Sequence, residues 1–329
     1  MVLQRRREQR QHLICEESQI GEARRDAQRM ALMYGLDATQ AGRVALAASE
    51  LATNLLRHAG GGELLLQPLT AEDDSEVVEL LAIDRGRGMQ DVERCMRDGF
   101  STAGTAGTGL GAVRRLSVEF DIHSVAGEGT VVLSRVGARP AARFGAISVA
   151  LKGESACGDS WVLARNDECT AVMVIDGLGH GTFAALAAES AQRGFCEAPF
   201  DMPREALQRT HRDLIATRGA AVAVSRETAD GRLAYAGVGN ITAYLVGEGR
   251  SQGLISHNGT LGVQMPRLQQ FEYARQQDTL LVMHSDGLSA RWNLKEKSAL
   301  RARHPAVVAA VLYRDHARAH DDATVVVVN

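Results

Sequence analysis

The stretch SELATNLLRHAG, Ser49–Gly60, lies in the middle of the first half of the chain. Apolar residues at helical spacing predict one helix through it, which begins after Asp37 and ends before the glycines at 60–62. Glu50 and Asn54 are four residues apart and therefore share one face of this helix. The Asn54 amide oxygen is of the kind that ligates Mg²⁺, and Glu50 could act as a general base or hold a water. Taken alone, such a pair is more often a solvated helix face.

A second motif, DRGRG at Asp84–Gly88, directly follows the predicted strand Val77–Ile83. A carboxylate at the end of a strand can accept a hydrogen bond from an adenine amino group. Glycines such as Gly86 and Gly88 let the backbone come close to a ligand. An ordinary β-turn explains the same residues about as well. By itself the motif leaves both readings open.

A third motif, GTAGTGLG at Gly104–Gly111, runs into a predicted helix through Val113 and Leu116. Backbone N–H groups at the start of a helix bind phosphate together with the helix dipole. No Gly-Lys-Ser/Thr follows, so the segment is not a Walker loop, and no strand directly precedes it as in a Rossmann domain. Alone, such a glycine-rich run is only weak evidence for a phosphate-binding loop.

Four short acidic motifs recur in the second half of the chain. They are Gly158-Asp159, Ile175-Asp176-Gly177, Ser285-Asp286-Gly287 and Asp321-Asp322-Ala323-Thr324. A β-sandwich could bring these strand ends to one edge. Clustered carboxylates without soft ligands suit Mg²⁺ or Mn²⁺, and two such ions would clamp a phosphate and generate a hydroxide for in-line attack. Each Asp-Gly alone is more often a turn, although the full set in this order is far less frequent by chance.

The spacing of apolar residues predicts an α+β chain of two domains. Residues 1–136 are expected to form the first, with two long helices, a shorter one and four strands. Residues 137–142 are predicted to be a linker, because glycine, proline and alanine dominate there. Residues 143–329 are predicted to form a β-sandwich with helices outside.

Length and composition agree with this division and exclude several classes of protein. The 329 residues correspond to about two domains, and the formal charge of −3 with 4% aromatic residues argues against a nucleic-acid-binding protein. No apolar run approaches the length of a transmembrane helix, so no membrane partner is expected. The five cysteines are scattered without a C-x-x-C pair, which is typical of reduced thiols in the cytoplasm.

The order of the first three motifs, followed by Gly-x-Gly-Thr at 127–130, resembles the GHKL (Bergerat) ATPase superfamily. The resemblance is strongest to the RsbT-type anti-sigma and switch serine kinases. It is carried by SELATNLLRHAG and by DGFSTAGTAGTGLGAVRRLSVEFDI at Asp98–Ile122, and it covers about residues 10–136. The resemblance implies an N-terminal Bergerat ATP-binding α/β sandwich that uses ATP and Mg²⁺.

The same resemblance assigns roles to individual residues. It implies that Asn54 holds Mg²⁺, that Glu50 activates the acceptor serine and that Asp84 reads adenine. The implied pocket residues are Gly86 and Gly88 around the base, Gly107, Gly109 and Gly111 around the phosphates, and Thr130 behind the adenine contact. No domain with a phosphorylatable histidine accompanies these motifs, which fits direct phosphorylation of a partner protein.

The acidic motifs resemble the metal-dependent (PPM) serine/threonine phosphatases, in the SpoIIE/RsbX branch. CGDSW, VIDGLGHG, GVGNITAYL, HSDGL and DDATVVV carry the resemblance, which covers about residues 145–329. It implies that Asp159 and Asp176 bridge two Mn²⁺ or Mg²⁺ ions and that Gly177 offers a backbone carbonyl. Asp286 and Asp321 would complete one ion's shell, with the choice between Asp321 and Asp322 left open.

Together the two resemblances imply a cytoplasmic, bacterial-type regulator with two opposed activities. One half would phosphorylate, and the other dephosphorylate, serine or threonine on STAS-domain proteins (RsbS/RsbR-like) of a stress-response pathway controlling a sigma factor. The alternative is a phosphatase whose nucleotide-binding half is not catalytic and instead sequesters a partner, such as a switch protein or a sigma factor.

Overall fold

A computed structural model describes residues 1–71, 73–96, 109–140, 142–264, 267–276 and 278–329. The chain divides into two compact units. One contains Arg7–Ala141, and the other contains Met1–Arg6 together with Ala142–Asn329. We call them the N-terminal unit and the C-terminal unit, and we describe each by itself.

The N-terminal unit is one antiparallel sheet with helices packed on one face. The chain opens with β1 (Val2–Arg5), which belongs to the C-terminal unit. The elements of the N-terminal unit follow in the order β2 (Arg10–Ile14), α1 (Glu17–Met33), α2 (Ala38–Ala59), β3 (Gly62–Thr70), β4 (Glu76–Ile83), α3 (Val92–Cys95), α4 (Gly109–Leu116), β5 (Glu119–Val125) and β6 (Gly129–Gly137). The strand order in the sheet is β2-β3-β4-β6-β5.

Local sequence explains why α2 forms where it does. The Asp37 carboxylate accepts a hydrogen bond of 2.7 Å from the backbone N–H of Gln40 and so caps the first turn. Gly60 ends the helix in the left-handed conformation, with φ of 74°. Buried residues such as Val44 and Leu51 recur along one side and pack on the sheet, which leaves Glu50 and Asn54 beside this stripe. The predicted cap and the predicted stop are both confirmed.

The C-terminal unit is a sandwich of two antiparallel sheets with helices on the outside. Its further elements are β7 (Phe144–Val149), β8 (Asp159–Arg165), β9 (Cys169–Gly177), α5 (Thr182–Glu197), α6 (Pro203–Leu214), β10 (Ala220–Thr228), β11 (Arg232–Val238), β12 (Thr242–Gly247), β13 (Arg250–Gly253), β14 (Phe271–Ala274), β15 (Leu280–His284), α7 (Ser298–Arg301), α8 (Pro305–His316) and β16 (Ala323–Val328). The sheets have the orders β1-β8-β9-β10-β11-β14 and β13-β12-β15-β16-β7.

The core of the C-terminal unit is apolar and layered. Helices α5 and α6 pack on the first sheet through small and large apolar residues, among them Ala187, Phe195 and Leu207. Between the sheets, the rings of Phe144 and Trp161 lie 5.6 Å apart. The α+β fold class and the β-sandwich with external helices, predicted from the sequence, are confirmed.

Strand β1 changes the predicted domain limits. The sequence places residues 1–136 in the first domain, but Val2–Arg5 pairs with β8, in the register Val2 with Arg165 and Arg5 with Val162. The backbone carbonyl of Arg6 also accepts a 2.9 Å hydrogen bond from the Gln192 side chain. A four-residue strand has too few residues to show a period, and its partner lies about 160 residues away in the chain. The predicted linker at 137–142 likewise overlaps the end of β6.

Among the described residues, no helix is long and apolar enough to span a membrane. All five cysteines are described, and each is a free thiol.

Candidate active sites

The first candidate site lies where α2 meets the start of α4. The structure brings Glu50 and Asn54 of α2 to Gly109, the first residue of α4. A Cβ atom added at Gly109 would lie 3.3 Å from both Asn54 Oδ1 and Glu50 Oε2, so the two side chains converge on this glycine. Asn54 Nδ2 is buried and has no hydrogen-bond partner among the described residues. Because an unpaired buried amide costs free energy, this group is suited to a polar ligand.

The second part of the site is the turn after β4. One carboxylate oxygen of Asp84 accepts hydrogen bonds from the backbone N–H groups of Gly86, at 2.8 Å, and Thr130, at 3.1 Å. The Thr130 hydroxyl in turn lies 2.8 Å from the hydroxyl of Ser124. These bonds fix Asp84 at the end of β4, and its role in reading adenine stays a prediction.

The predicted glycines have different surroundings. Gly88 has φ of +65°, and a Cβ there would lie 2.1 Å from the carbonyl oxygen of Val125, so only glycine fits. Gly88 lines the cavity described below, whereas Gly86 packs against Ala59. Gly111 is buried within α4. Gly107, together with most of the glycine-rich loop, lies outside the described residues.

A cavity of about 720 Å³ joins these residues. Apolar side chains such as Leu55 and Val132 line it together with Glu50, Asn54 and Asp84. Its size and its combination of apolar walls with a few polar groups are typical of a small-molecule site.

Basic residues also line this cavity. The pKa of His58 is lowered, first by burial and then by the positive charges of Arg87 and Arg57. All three side chains contribute to the cavity wall. A wall with this charge suits a polyphosphate, so the residues present fit a nucleotide with its Mg²⁺ ion.

The second candidate site lies at one edge of the sandwich. Asp159 begins β8 and Asp176 lies near the end of β9, and the two are directly opposite in the antiparallel register. The backbone N–H of Gly177 donates a 3.0 Å hydrogen bond to the carbonyl of Gly158, which holds the two strand ends together. This is the convergence of acidic strand ends predicted from the sequence.

The other sheet contributes Asp286, just after β15, and Asp321, just before β16. Asn240 donates a 2.7 Å hydrogen bond from its amide to Asp286 Oδ2. Ser285 donates a 2.6 Å hydrogen bond to Asp159 Oδ2 and so connects the two sheets at this edge. The Ser285 hydroxyl also accepts a 3.0 Å hydrogen bond from the backbone of Thr324.

The carboxylates raise one another's pKa values. The pKa of Asp176 is raised to about 9, first by burial and then by the charges of Asp159, Asp286 and Asp321. Burial also raises the pKa of Asp159 to about 7, against the hydrogen bond from Ser285. Burial is likewise the main cause of the raised pKa of Asp321. Like charges are thus held together in a low-dielectric environment, and a cation would relieve this repulsion.

The donor set fits Mg²⁺ or Mn²⁺, because every side chain in it offers oxygen and none offers sulfur. Within the described part of the chain, no three histidine, cysteine, aspartate or glutamate side chains form a ready-made metal site. A bound ion would therefore draw the carboxylates closer together.

Asp322 differs sharply from its neighbour Asp321. Its side chain is 1% exposed. One of its oxygens accepts a 2.6 Å hydrogen bond from the backbone N–H of Leu151, and the other accepts one of 2.6 Å from Gly158. Asp322 therefore ties the 151–158 loop to the start of β16, whereas the charge of Asp321 contributes to the raised pKa of Asp176.

Sequence reasoning missed the supporting residues Ser285 and Asn240. Both stand inside motifs that carried the resemblance, HSDGL and GVGN, but nothing in the sequence says which carboxylate each one would contact. Their partners lie 126 and 46 residues away in the chain.

Comparison with known proteins agrees with this geometry. The family model of the histidine kinase-like ATPase domain matches residues 15–135. The model of stage II sporulation protein E (SpoIIE) matches residues 166–329. A curated relative, serine/threonine-protein kinase RsbT of Bacillus subtilis (strain 168), is 38% identical over 119 residues, or 36% of this chain and 89% of RsbT.

Two solved structures are also similar. One, described as "The bacterial stressosome: a modular system that has been adapted to control secondary messenger signaling", is 30% identical with a TM-score of 0.53, and the match covers 57% of this chain and 98% of that chain. The other, the PP2C phosphatase domain of SpoIIE from Bacillus subtilis with a fragment of its regulatory domain, is 17% identical with a TM-score of 0.46, over 94% of this chain and 93% of that chain.

The chain thus combines a histidine kinase-like ATPase domain with a region that matches the SpoIIE model. Through residues 15–135 the chain belongs to the histidine kinase-like ATPase family as a homologue of RsbT, and residues 166–329 match the SpoIIE model. The resemblance predicted from the motifs is confirmed for both halves.

Proposed function

We propose that this protein is a bifunctional partner-switching regulator. Its N-terminal unit transfers phosphate from ATP to serine or threonine of a STAS-domain partner, and its C-terminal unit removes that phosphate with two divalent ions. The observation that carries the proposal is the edge of four converging carboxylates, Asp159, Asp176, Asp286 and Asp321, in one chain with the Glu50–Asn54 cavity.

In the kinase reaction, Glu50 takes the proton from the acceptor hydroxyl and Asn54 holds Mg²⁺. Asp84 accepts the adenine amino group, with Thr130 behind it. Gly88 lines the base side of the cavity. The backbone at Gly109 and Gly111, with Gly107 in the loop before them, holds the phosphates at the start of α4. The relationship to RsbT, which is named a serine/threonine-protein kinase, supports this assignment.

In the phosphatase reaction, two metal ions would be held by the carboxylates of Asp159, Asp176, Asp286 and Asp321 and by the backbone carbonyl of Gly177. Bound Mn²⁺ or Mg²⁺ supplies Lewis acidity toward the phosphoryl oxygens and the attacking water. Ser285 orients the Asp159 carboxylate and Asn240 orients Asp286 through the hydrogen bonds described above.

The proposed substrates are STAS-domain proteins of the RsbS/RsbR kind, in the cytoplasm. The kinase relative and the stressosome structure support this substrate class. A sigma factor or a switch protein would act downstream.

Transfer from labelled ATP to a STAS partner tests the kinase. We expect phosphoserine to accumulate with wild-type protein in EDTA-free buffer with Mg²⁺, and to fall by at least about a hundredfold with Glu50→Gln. Nucleotide binding without any transfer by the wild type would refute the kinase and favour the alternative, a nucleotide-binding domain that sequesters its partner.

Release of phosphate from a phosphorylated STAS protein tests the phosphatase. We expect release only with Mn²⁺ or Mg²⁺, and almost none from Asp176→Asn. Asp167→Asn, an exposed acid in the turn before β9, is the matched control and should retain the wild-type rate. Equal activity in Asp176→Asn and wild type would exclude the metal assignment.

A further inference from the structure

Arg218 is an exposed cation in the turn between α6 and β10. Among the described residues no carboxylate pairs with its guanidinium group; the group instead lies 4.9 Å from the ring centroid of Phe183 at the start of α5. Most arginines on a protein surface are explained by solvation.

The backbone register places Arg218 at the carboxylate edge. In the pairing of β9 with β10, Ala220 is opposite Gly177 and Ala221 is opposite Asp176. The backbone N–H of Leu178 donates a 3.0 Å hydrogen bond to the carbonyl of Gly219. The residue before Gly219 therefore leaves the sheet beside the segment that follows Asp176.

The side chain then turns over this segment. Nη1 of Arg218 lies 3.3 Å from the point that a Cβ on Gly179 would occupy. The carbonyl oxygen of Gly179 lies 3.4 Å from the corresponding point on Gly158, the residue before Asp159. The guanidinium thus lies against Gly179, three residues after Asp176, and Gly179 in turn approaches Gly158, the residue before Asp159.

The turn that carries Arg218 is well defined. The Thr217 hydroxyl accepts a 3.0 Å hydrogen bond from the backbone of Gly219 and donates one of 2.8 Å to the carbonyl of Leu214. Gly219 has φ of +85°, and a Cβ there would lie 2.5 Å from the carbonyl oxygen of Leu261. With the Phe183 ring beneath the guanidinium, the arginine is positioned before any ligand arrives.

A site built from carboxylates repels a negatively charged substrate. A phosphate monoester carries a charge between about −1.5 and −2 at neutral pH, and it must approach four acidic side chains. Metal ions offset part of this charge. A guanidinium group donates two parallel hydrogen bonds to phosphate oxygens and stays protonated at any working pH.

We propose that Arg218 binds the phosphate group of the phosphoserine or phosphothreonine substrate and thereby orients it against the carboxylate edge. The proposal rests on the proposed phosphatase function and names a further substrate-binding residue of that site. Arg218 acts on the substrate and the product phosphate, and makes no contact with the metal ligands.

The test measures inorganic phosphate binding and peptide hydrolysis with the full chain. Calorimetry of Mn²⁺-loaded protein gives the phosphate Kd, and a phosphoserine peptide gives kcat and KM. We expect Arg218→Gln to raise both the phosphate Kd and the peptide KM by about tenfold or more, with an unchanged Kd for Mn²⁺. Arg218→Lys, which keeps the charge but loses the planar fork, should recover part of the loss.

Arg212→Gln is the matched control, because Arg212 is an exposed arginine in the last turn of α6, six residues earlier in the chain. It should match the wild type in both measurements. Wild-type phosphate affinity and KM in Arg218→Gln would overturn the proposal while leaving the phosphatase intact.

The two proposals fail separately. Wild-type protein that binds phosphate but hydrolyses no peptide would refute the phosphatase, and the phosphate Kd of Arg218→Gln would still decide the role of Arg218. Wild-type protein that neither binds phosphate nor hydrolyses peptide would overturn both.

Discussion

Two adjacent aspartates in the DDATVVV segment have opposite environments. Asp322 is buried and fully engaged with backbone N–H groups. Within the described part of the chain, Asp321 accepts just one hydrogen bond, of 2.9 Å, from the backbone of Asp322 itself. The sequence could not separate them, because both are acids at the start of the same strand. The difference arises from the 151–158 loop, which reaches Asp322 alone.

The stability of the metal-free protein tests this difference. Asp322→Ala would leave the buried backbone N–H of Gly158 and the half-buried N–H of Leu151 unpaired, so we expect a loss of about 2 kcal/mol in the free energy of unfolding. Asp321→Ala, the neighbouring control, should cost less than about 1 kcal/mol. Thermal unfolding in EDTA measures both, and equal losses would contradict the separate roles.

The raised pKa of Asp176 makes the stability of the metal-free protein depend on pH. Its pKa in the folded protein is raised to about 9, chiefly by burial, whereas an aspartate in an unfolded chain titrates near 4. Between these values the folded state binds a proton that the unfolded state lacks. The stability of the metal-free protein therefore falls as the pH rises from about 4 toward 9.

Removing this carboxylate should remove part of that dependence. We expect metal-free Asp176→Asn to melt above the wild type, by a margin that grows between pH 5 and pH 8. Melting curves in EDTA across this range measure the effect, with Asp167→Asn as the exposed control. A margin that shrinks with rising pH would show that the Asp176 carboxylate is not destabilising. Saturating Mn²⁺ should reverse the order, because only the wild type gains from the ion.

At the scale of the element, local chemistry explains the long helices and the longer strands. α2 has its cap at Asp37, its stop at Gly60 and an apolar stripe between them, and all are visible in the sequence. Strands β4 and β9 read as apolar runs bounded by turn residues. Short strands such as β13, which is exposed along its whole length, have no period to detect and were not predicted.

Strand β1 is the clearest example of a short strand that the local sequence does not predict. Val2 and Gln4 are buried at 7% and 2% exposure because β1 covers the edge of β8, and edge strands left open pair with other chains. Only the distant partner makes this short segment a strand.

Deletion of residues 1–6 should therefore weaken the C-terminal unit. We expect the β8 amides to lose at least about tenfold in hydrogen-exchange protection and the unit to lose about 2 kcal/mol in stability. Amides of β3, which belong to the N-terminal unit, are the internal control. Unchanged exchange in β8, or a loss centred on β3, would contradict the assignment of β1.

At the scale of the whole molecule, the two candidate sites lie in separate compact units, each with its own apolar core. The two opposed activities that we propose would be useful to a regulator if either could be changed without the other. Mutations at sites that share no contacts usually change the free energy by independent amounts, and these amounts add.

Crossed variants test this independence. We expect Glu50→Gln to keep phosphoserine hydrolysis within about twofold of wild type, and Asp176→Asn to keep the ATP affinity within about twofold. A fluorescent ATP analogue and the phosphate-release assay measure these values in the full chain. A tenfold effect of either variant on the other site would reveal coupling between the units.

The sequence by itself determined the α+β class, the long helices with their caps and the identity of the candidate chemical groups, from Glu50 and Asn54 to the acids at strand ends. These features depend on residue type, period and neighbours within one or two turns. Only the tertiary structure decided that β1 joins the C-terminal unit, that Asp322 ties down a loop, that Ser285 and Asn240 support the carboxylates, and that Arg218 lies against Gly179 in the segment after Asp176. Each of these depends on contacts between residues far apart in the chain, which local pattern cannot specify.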